Sequence, residues 1–100
     1  MGADAAIERE ARLIILRELS SQPNRSMTSK AMRAFLLDMF LIDRTREWVE
    51  YQFEFLRQAE AVRVTPAGSI KVATLVERGL EHLRLKTFIA GVDSPTDPVA

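Results

Sequence analysis

The chain has 100 residues, 47% of them hydrophobic and 28% charged, with 14 acidic side chains against 14 basic ones. That length leaves room for one core, and that apolar content excludes a chain too polar to offset the conformational entropy of folding. A net charge of zero excludes a strong overall field for nucleic acid or an anionic membrane, so any such affinity must come from a local patch.

There is no cysteine, which rules out disulfides and thiolate metal sites and suits a reducing compartment, so the cytoplasm is the expected location. The longest apolar runs, such as Leu13-Ile14-Ile15-Leu16 and Met39-Phe40-Leu41-Ile42, fall far short of the roughly 20 residues that cross a bilayer. Met1-Gly2-Ala3-Asp4 lacks the basic and apolar regions of a secretion signal and the spaced hydroxyl of a myristoylation site. The expectation is no membrane partner.

Ile7, Ala11, Ile14, Ile15 and Leu19 recur at spacings of three and four, which predicts a helix from about Ala5 to Ser20, ended by Pro23 and Asn24. A second helix is expected to start near Ser26 or Thr28, either of which can cap it, with Met32, Phe35, Leu36 and Met39 as its buried stripe. A third runs from a Thr45 cap to about Gln58; Val49, Phe53 and Leu56 face the core, and Trp48, Gln52 and Phe55 form a flanking stripe.

After Glu60 the period changes to two. Val62 and Val64 alternate with Arg63 and Thr65 as in a half-buried strand, and Pro66-Ala67-Gly68-Ser69 reads as a turn. The returning strand sets Ile70, Val72 and Thr74 against Lys71 and Ala73. Thr74-Leu75-Val76-Glu77 fits a capping box for a fourth helix carrying Val76, Leu80 and Leu83 to about Lys86. Gly91, Pro95 and Pro98 predict an irregular tail, giving one domain over residues 1–90 and a tail over 91–100, with no internal repeat.

Three helices, a two-stranded hairpin and a C-terminal helix make an α+β chain, mainly helical, in the order of a winged helix-turn-helix. Three segments carry a resemblance: Arg12-Leu13-Ile14-Ile15-Leu16-Arg17, Thr45-Arg46-Glu47-Trp48-Val49 and Val72-Ala73-Thr74-Leu75-Val76-Glu77-Arg78-Gly79, joined by Gly91-Val92 and Pro95. The chain resembles the small winged-helix proteins encoded by Mu-like transposable phages and prophages, most of which have no assigned function. It departs from them at Glu60, where they tend to have glycine before the wing strand, and at Asp93-Ser94, where a basic residue is more usual. The resemblance implies a winged-helix fold and a phage origin, and these departures weaken the case for a basic tail facing nucleic acid.

In a winged helix the exposed start of the third helix is the part that reaches base edges. Here its outward residues are Arg46, Glu47, Glu50, Tyr51, Glu54 and Arg57, an acidic surface to press against phosphates. The basic candidates for DNA are instead Arg25, Lys30 and Arg33 around the second helix and Arg63 and Lys71 on the wing, with Arg46 as the residue to reach into a groove. Such residues also occur on any soluble surface.

Trp48, Tyr51, Phe53 and Phe55 point in several directions around one helix, so a small core cannot cover them all. Trp48, Tyr51 and Phe55, with Leu85, Phe88 and Ile89 near the C-terminus, are the candidate partner interface, a symmetric homodimer being the simplest occupant and a phage or host protein another. Catalysis finds little support. His82 is the only histidine and reads as a surface or interface residue, Glu77 and Glu81 lie one turn apart like a carboxylate pair but Glu77 is better explained by capping, and His82 with Glu81 or Glu77 offers too few ligands for a metal. No cofactor is expected. Two functions stand: a DNA-associated regulatory or packaging accessory protein touching the double-stranded backbone, or a protein-interaction module that keeps the frame without binding DNA.

Overall fold

In the computed structural model, residues 2–99 are described; Met1, where the leader reading begins, and Ala100, where the expected tail ends, lie outside them. The elements run α1 (Ala3–Ser21), β1 (Ser26–Thr28), α2 (Ser29–Phe40), α3 (Arg46–Gln58), β2 (Val62–Ala67), β3 (Ile70–Leu75) and α4 (Glu77–Leu83). Among the described residues, four helices and one three-stranded antiparallel sheet make an α+β fold that is about half helical. This order is compatible with a winged helix.

The long α1 buries Ala11, Ile14, Ile15, Leu16 and Leu19 completely or nearly so, and α3 adds Val49, Phe53 and Leu56, as their spacing requires. Thr45 caps α3 by accepting from Trp48 N (3.1 Å). In α2 the stripe holds at Met32 and Leu36 and is half-covered at Phe35, but Met39 is 66% exposed. The helix ends one residue later, so nothing packs over that last turn.

The main correction is β1. Asn24 Oδ1 accepts from Ser26 N (3.1 Å), turning the chain so that three residues pair with β3: Ser26 with Thr74, Met27 with Ala73, Thr28 with Val72. Thr28 then caps α2 by accepting from Ala31 N (3.0 Å), while Ser26, the other expected cap, lies in the strand. Because β1 and β2 flank it, β3 is the central strand. Its buried residues are Ala73 and Leu75, on the opposite face from the expected Ile70, Val72 and Thr74. Pro66 and Ala67, expected in the turn, end β2, and an edge strand tolerates the proline's missing donor. The loop is Gly68-Ser69 alone, with Gly68 at φ +66°.

The expected capping box does not form. Thr74 belongs to β3 and its Oγ1 lies 2.7 Å from Ser26 Oγ; the N-cap of α4 is Val76, which has no side-chain cap bond. The fourth helix also stops at Leu83, three residues short of Lys86. It stops because Leu85 takes a left-handed conformation (φ 59°), letting Leu85 N donate to His82 O (3.2 Å) and Lys86 N to Glu81 O (2.8 Å). The same closure ends α3: Glu60 (φ 61°) donates to Arg57 O (2.9 Å) and Ala61 N to Leu56 O (2.9 Å). Glu60 is thus the position where a glycine before the wing strand has a backbone reason.

From Arg84 the chain is irregular yet packed along α1. Asp93 N donates to Arg9 O (3.2 Å), Arg17 Nη1 to Asp97 O (3.0 Å) and Val99 N to Leu83 O (3.0 Å), while Ile89 and Val92 are buried. His82 is a core residue at 1% exposure, correcting the surface reading. Its Nδ1 accepts from Ile89 N (3.2 Å), so the ring proton sits on Nε2 and is donated to Asp93 O (2.9 Å). The histidine ties the tail to α4.

Arg12, 7% exposed, joins three segments. Its Nε donates to Gln52 Oε1 of α3 (2.7 Å), its Nη1 to Gly91 O of the tail (3.0 Å), and its guanidinium lies 3.6 Å above the Phe55 ring. Gln52 Nε2 donates to Glu8 Oε2 (3.0 Å), which is 3.8 Å from Arg12 Nη2. Desolvation lowers the Arg12 pKa from its ordinary value, opposed by the charge of Glu8.

Two substitutions test these backbone and packing claims by urea unfolding. Gly91→Ala places a Cβ 2.5 Å from Phe55 Cζ at φ +86° and is expected to destabilise by about 2 kcal/mol or more. Glu60→Gly relieves the left-handed strain and is expected to stabilise by about 0.5–1 kcal/mol; a loss of stability would show that the Glu60 side chain contributes more than its backbone costs.

Candidate nucleic-acid interface

The basic candidates do not form one patch. Lys30 and Arg33, from the first two turns of α2, and Arg46, the first residue of α3, line a shallow groove of about 700 Å³ whose far wall is the wing tip, Ala67 to Ile70. Three cations face one carboxylate there, Glu47. The structure brings these residues together from near the starts of α2 and α3, each helix capped by a threonine.

The two wing residues part company. Strand register pairs Arg63 with Thr74 and Lys71 with Pro66, and side chains alternate, so Arg63 stands on the outer face of the sheet and Lys71 on the face toward α3. Lys71 lines a second, smaller groove of about 280 Å³ with Glu50, Glu54 and Arg57, where the charges balance. Arg25 sits in the turn before β1, where its carbonyl accepts from Leu75 N (2.9 Å). Although only five residues before Lys30, it does not line the α2–α3 groove.

Within the groove the cations differ in freedom. Arg33 Nε donates to Arg44 O (2.9 Å) and its Nη2 is 4.0 Å from Asp43 Oδ1. Arg46 Nη2 donates to Glu47 Oε2 (3.3 Å), while its Nε, 3.5 Å from Glu50 Oε2, is close enough for ion pairing but makes no hydrogen bond. Lys30 makes no ion pair among the described residues.

The acids of α3 are spent locally. Glu50, expected to point outward, is half-buried and accepts from Ser29 Oγ (2.6 Å), whose oxygen in turn accepts from Lys71 N (3.2 Å). This chain of bonds fastens α3 to the start of α2 and to the wing. Glu54 is held by Arg57 through two hydrogen bonds (2.8 and 2.6 Å) and by Gln58 (3.1 Å), and these bonds, Arg57 first, push its carboxyl down from 4.5 to about 2.

The aromatic and aliphatic candidates also scatter. Tyr51, Leu85 and Phe88 are exposed at 62%, 54% and 66%, as an interface residue in a free chain would be. Trp48 and Phe55 are half-buried against the core, Trp48 with the Arg44 guanidinium 5.6 Å away and Phe55 under Arg12. Ile89 is 1% exposed and is a core residue, which removes it from any surface. The exposed apolar group missed by pattern reading is Met39, Phe40 and Leu41, at 66%, 48% and 84%. Its signal was present: Met39-Phe40-Leu41-Ile42 is apolar on every side of a helix end, and only Ile42 reaches the core.

Among the described residues no group of three or more His, Cys, Asp or Glu side chains could hold a metal ion. Among the same residues no helix is long and apolar enough to cross a membrane. Compared with known proteins, the chain matches no family model, no curated protein and no solved structure.

The exposed Glu54 pairing gives a direct check by carbon-detected NMR titration. Its carboxylate is expected to titrate at about 2, and in Arg57→Ala to move up toward 4.5. A midpoint that ignores the arginine would show that the two side chains are not hydrogen-bonded in solution.

Proposed function

We propose that the chain is a non-enzymatic winged-helix module that contacts the phosphate backbone of duplex DNA through the groove between α2, α3 and the wing tip. The observation that carries this reading is the convergence of Lys30, Arg33 and Arg46 on one groove against a single carboxylate. Glu47 and Glu54 sit on the exposed length of α3, so the contact is to backbone and shape rather than to base edges. Element order and sheet order support the winged-helix frame, and the resemblance to Mu-like phage proteins supports a phage origin, within which the module would serve as a regulatory or packaging accessory in the host cytoplasm.

A second reading is a protein-interaction module on the same frame. It is favoured by the way α3 matches its own charges, Arg46 with Glu47 and Glu50 and Arg57 with Glu54, leaving Tyr51 as its exposed large side chain. Fluorescence anisotropy on a random-sequence duplex separates the two. The first reading expects binding at low salt whose logarithm falls with the logarithm of salt concentration with a slope of about −3, one unit for each groove cation that meets a phosphate. Combined alanine substitution of Lys30, Arg33 and Arg46 is expected to flatten that slope and abolish binding. No binding at low salt overturns the DNA reading and leaves the second.

A further inference from the structure

On the side of α1 where it meets α2 lies an apolar groove of about 450 Å³, lined by Leu13, Ile14, Phe35, Phe40 and Val99, with Glu10, Arg17 and Glu18 on its rim. Phe40 stands 48% exposed beside it, its ring edge-on to Phe35 at 5.8 Å, and Met39 and Leu41 continue the apolar surface in sequence. Burying these side chains favours any occupant that also satisfies the rim charges.

The arrangement of those charges selects the occupant. Glu10, Leu13, Ile14 and Arg17 share one side of α1, with Glu10 three residues before Leu13 and Arg17 three residues after Ile14. An antiparallel copy of the same helix, related by a two-fold axis passing between Leu13 and Ile14, sets Glu10 against the second copy's Arg17 and Leu13 against its Ile14, twice. Glu10 makes no hydrogen bond or ion pair among the described residues, and Arg17 meets no carboxylate, only the carbonyl of Asp97. Toward the ends of the seam the same symmetry opposes Ala6 and Ser21, both small enough for close helix approach.

We propose that two copies of this chain pair antiparallel through α1, each placing Phe40 from the end of α2 over the other's α1. This surface is distinct from the α2–α3–wing groove, so the pairing stands or falls without the DNA reading. Sedimentation equilibrium without DNA tests it. The wild type is expected to self-associate reversibly with concentration. Glu10→Arg and Arg17→Glu each set like charges face to face and are expected to weaken association by about tenfold or more, while the double swap restores it. Phe40→Ser, a charge-independent variant at an exposed ring, is expected to weaken it as well, with circular dichroism confirming that each variant is folded. A wild type that stays monomeric over the whole range overturns the proposal, as does unchanged association in either charge variant or in Phe40→Ser. Failure of the double swap to recover overturns the antiparallel register on which it rests.

Discussion

The buried guanidinium of Arg12 is the constraint on which the rest of the chain depends. A cation out of water is costly unless its donors are met, and here they reach α3 through Gln52, the tail through Gly91 O, and Glu8 on its own helix. Each partner is from a different part of the sequence, so the network can be completed only when α1, α3 and the tail are all in place. Phe55 is held under the same guanidinium, and Gly91 has no Cβ because one would strike that ring. A single arginine therefore fixes how far the tail lies from α3.

With α1 and α3 tied on that side, the hydroxyl of Ser29 ties α3 on the other. It donates to Glu50 and accepts from Lys71 N, which links the start of α2, the middle of α3 and the wing in two bonds. The proposed DNA groove is a consequence: Lys30 follows Ser29 directly, Arg46 lies one turn before Glu50, and the wing tip is held above both. An acid on α3 that looks hostile to phosphate in the sequence is thus a fastening that positions the cations beside it. The acids that stay toward solvent are matched on the same helix, Glu47 by Arg46 and Glu54 by Arg57.

Helix ends in this chain are set by left-handed residues that are not glycine. Leu41, Glu60 and Leu85 take φ near +60° after α2, α3 and α4. Each such residue costs roughly 1 kcal/mol relative to glycine, so the surrounding packing has to hold it there. Leu41 is 84% exposed, and an apolar side chain held in a strained and solvated position adjoins the surface proposed for self-association.

Much of the helical structure is legible in the sequence by itself, because spacings of three and four with a threonine cap are local signals. The stripes Ile14-Ile15-Leu19 and Val49-Phe53-Leu56 are buried as their period demands, and Thr45 and Thr28 cap as their hydroxyls allow. Composition likewise set the limits of one small core and of affinity confined to a patch. What tertiary structure decided is whatever depends on residues distant in the chain. Ser26-Met27-Thr28 is too short to show a period and becomes a strand only because β3, more than forty residues later, offers an unpaired edge. Thr74 lies inside the sheet rather than in its expected capping box, and Ala73 and Leu75 face inward. Ile89 and His82 look like surface residues near a chain end, yet the tail folds back on α1 and buries both. The gathering of Lys30, Arg33 and Arg46, and the separation of Arg63 from Lys71, follow from helix packing and strand register, which no local pattern encodes.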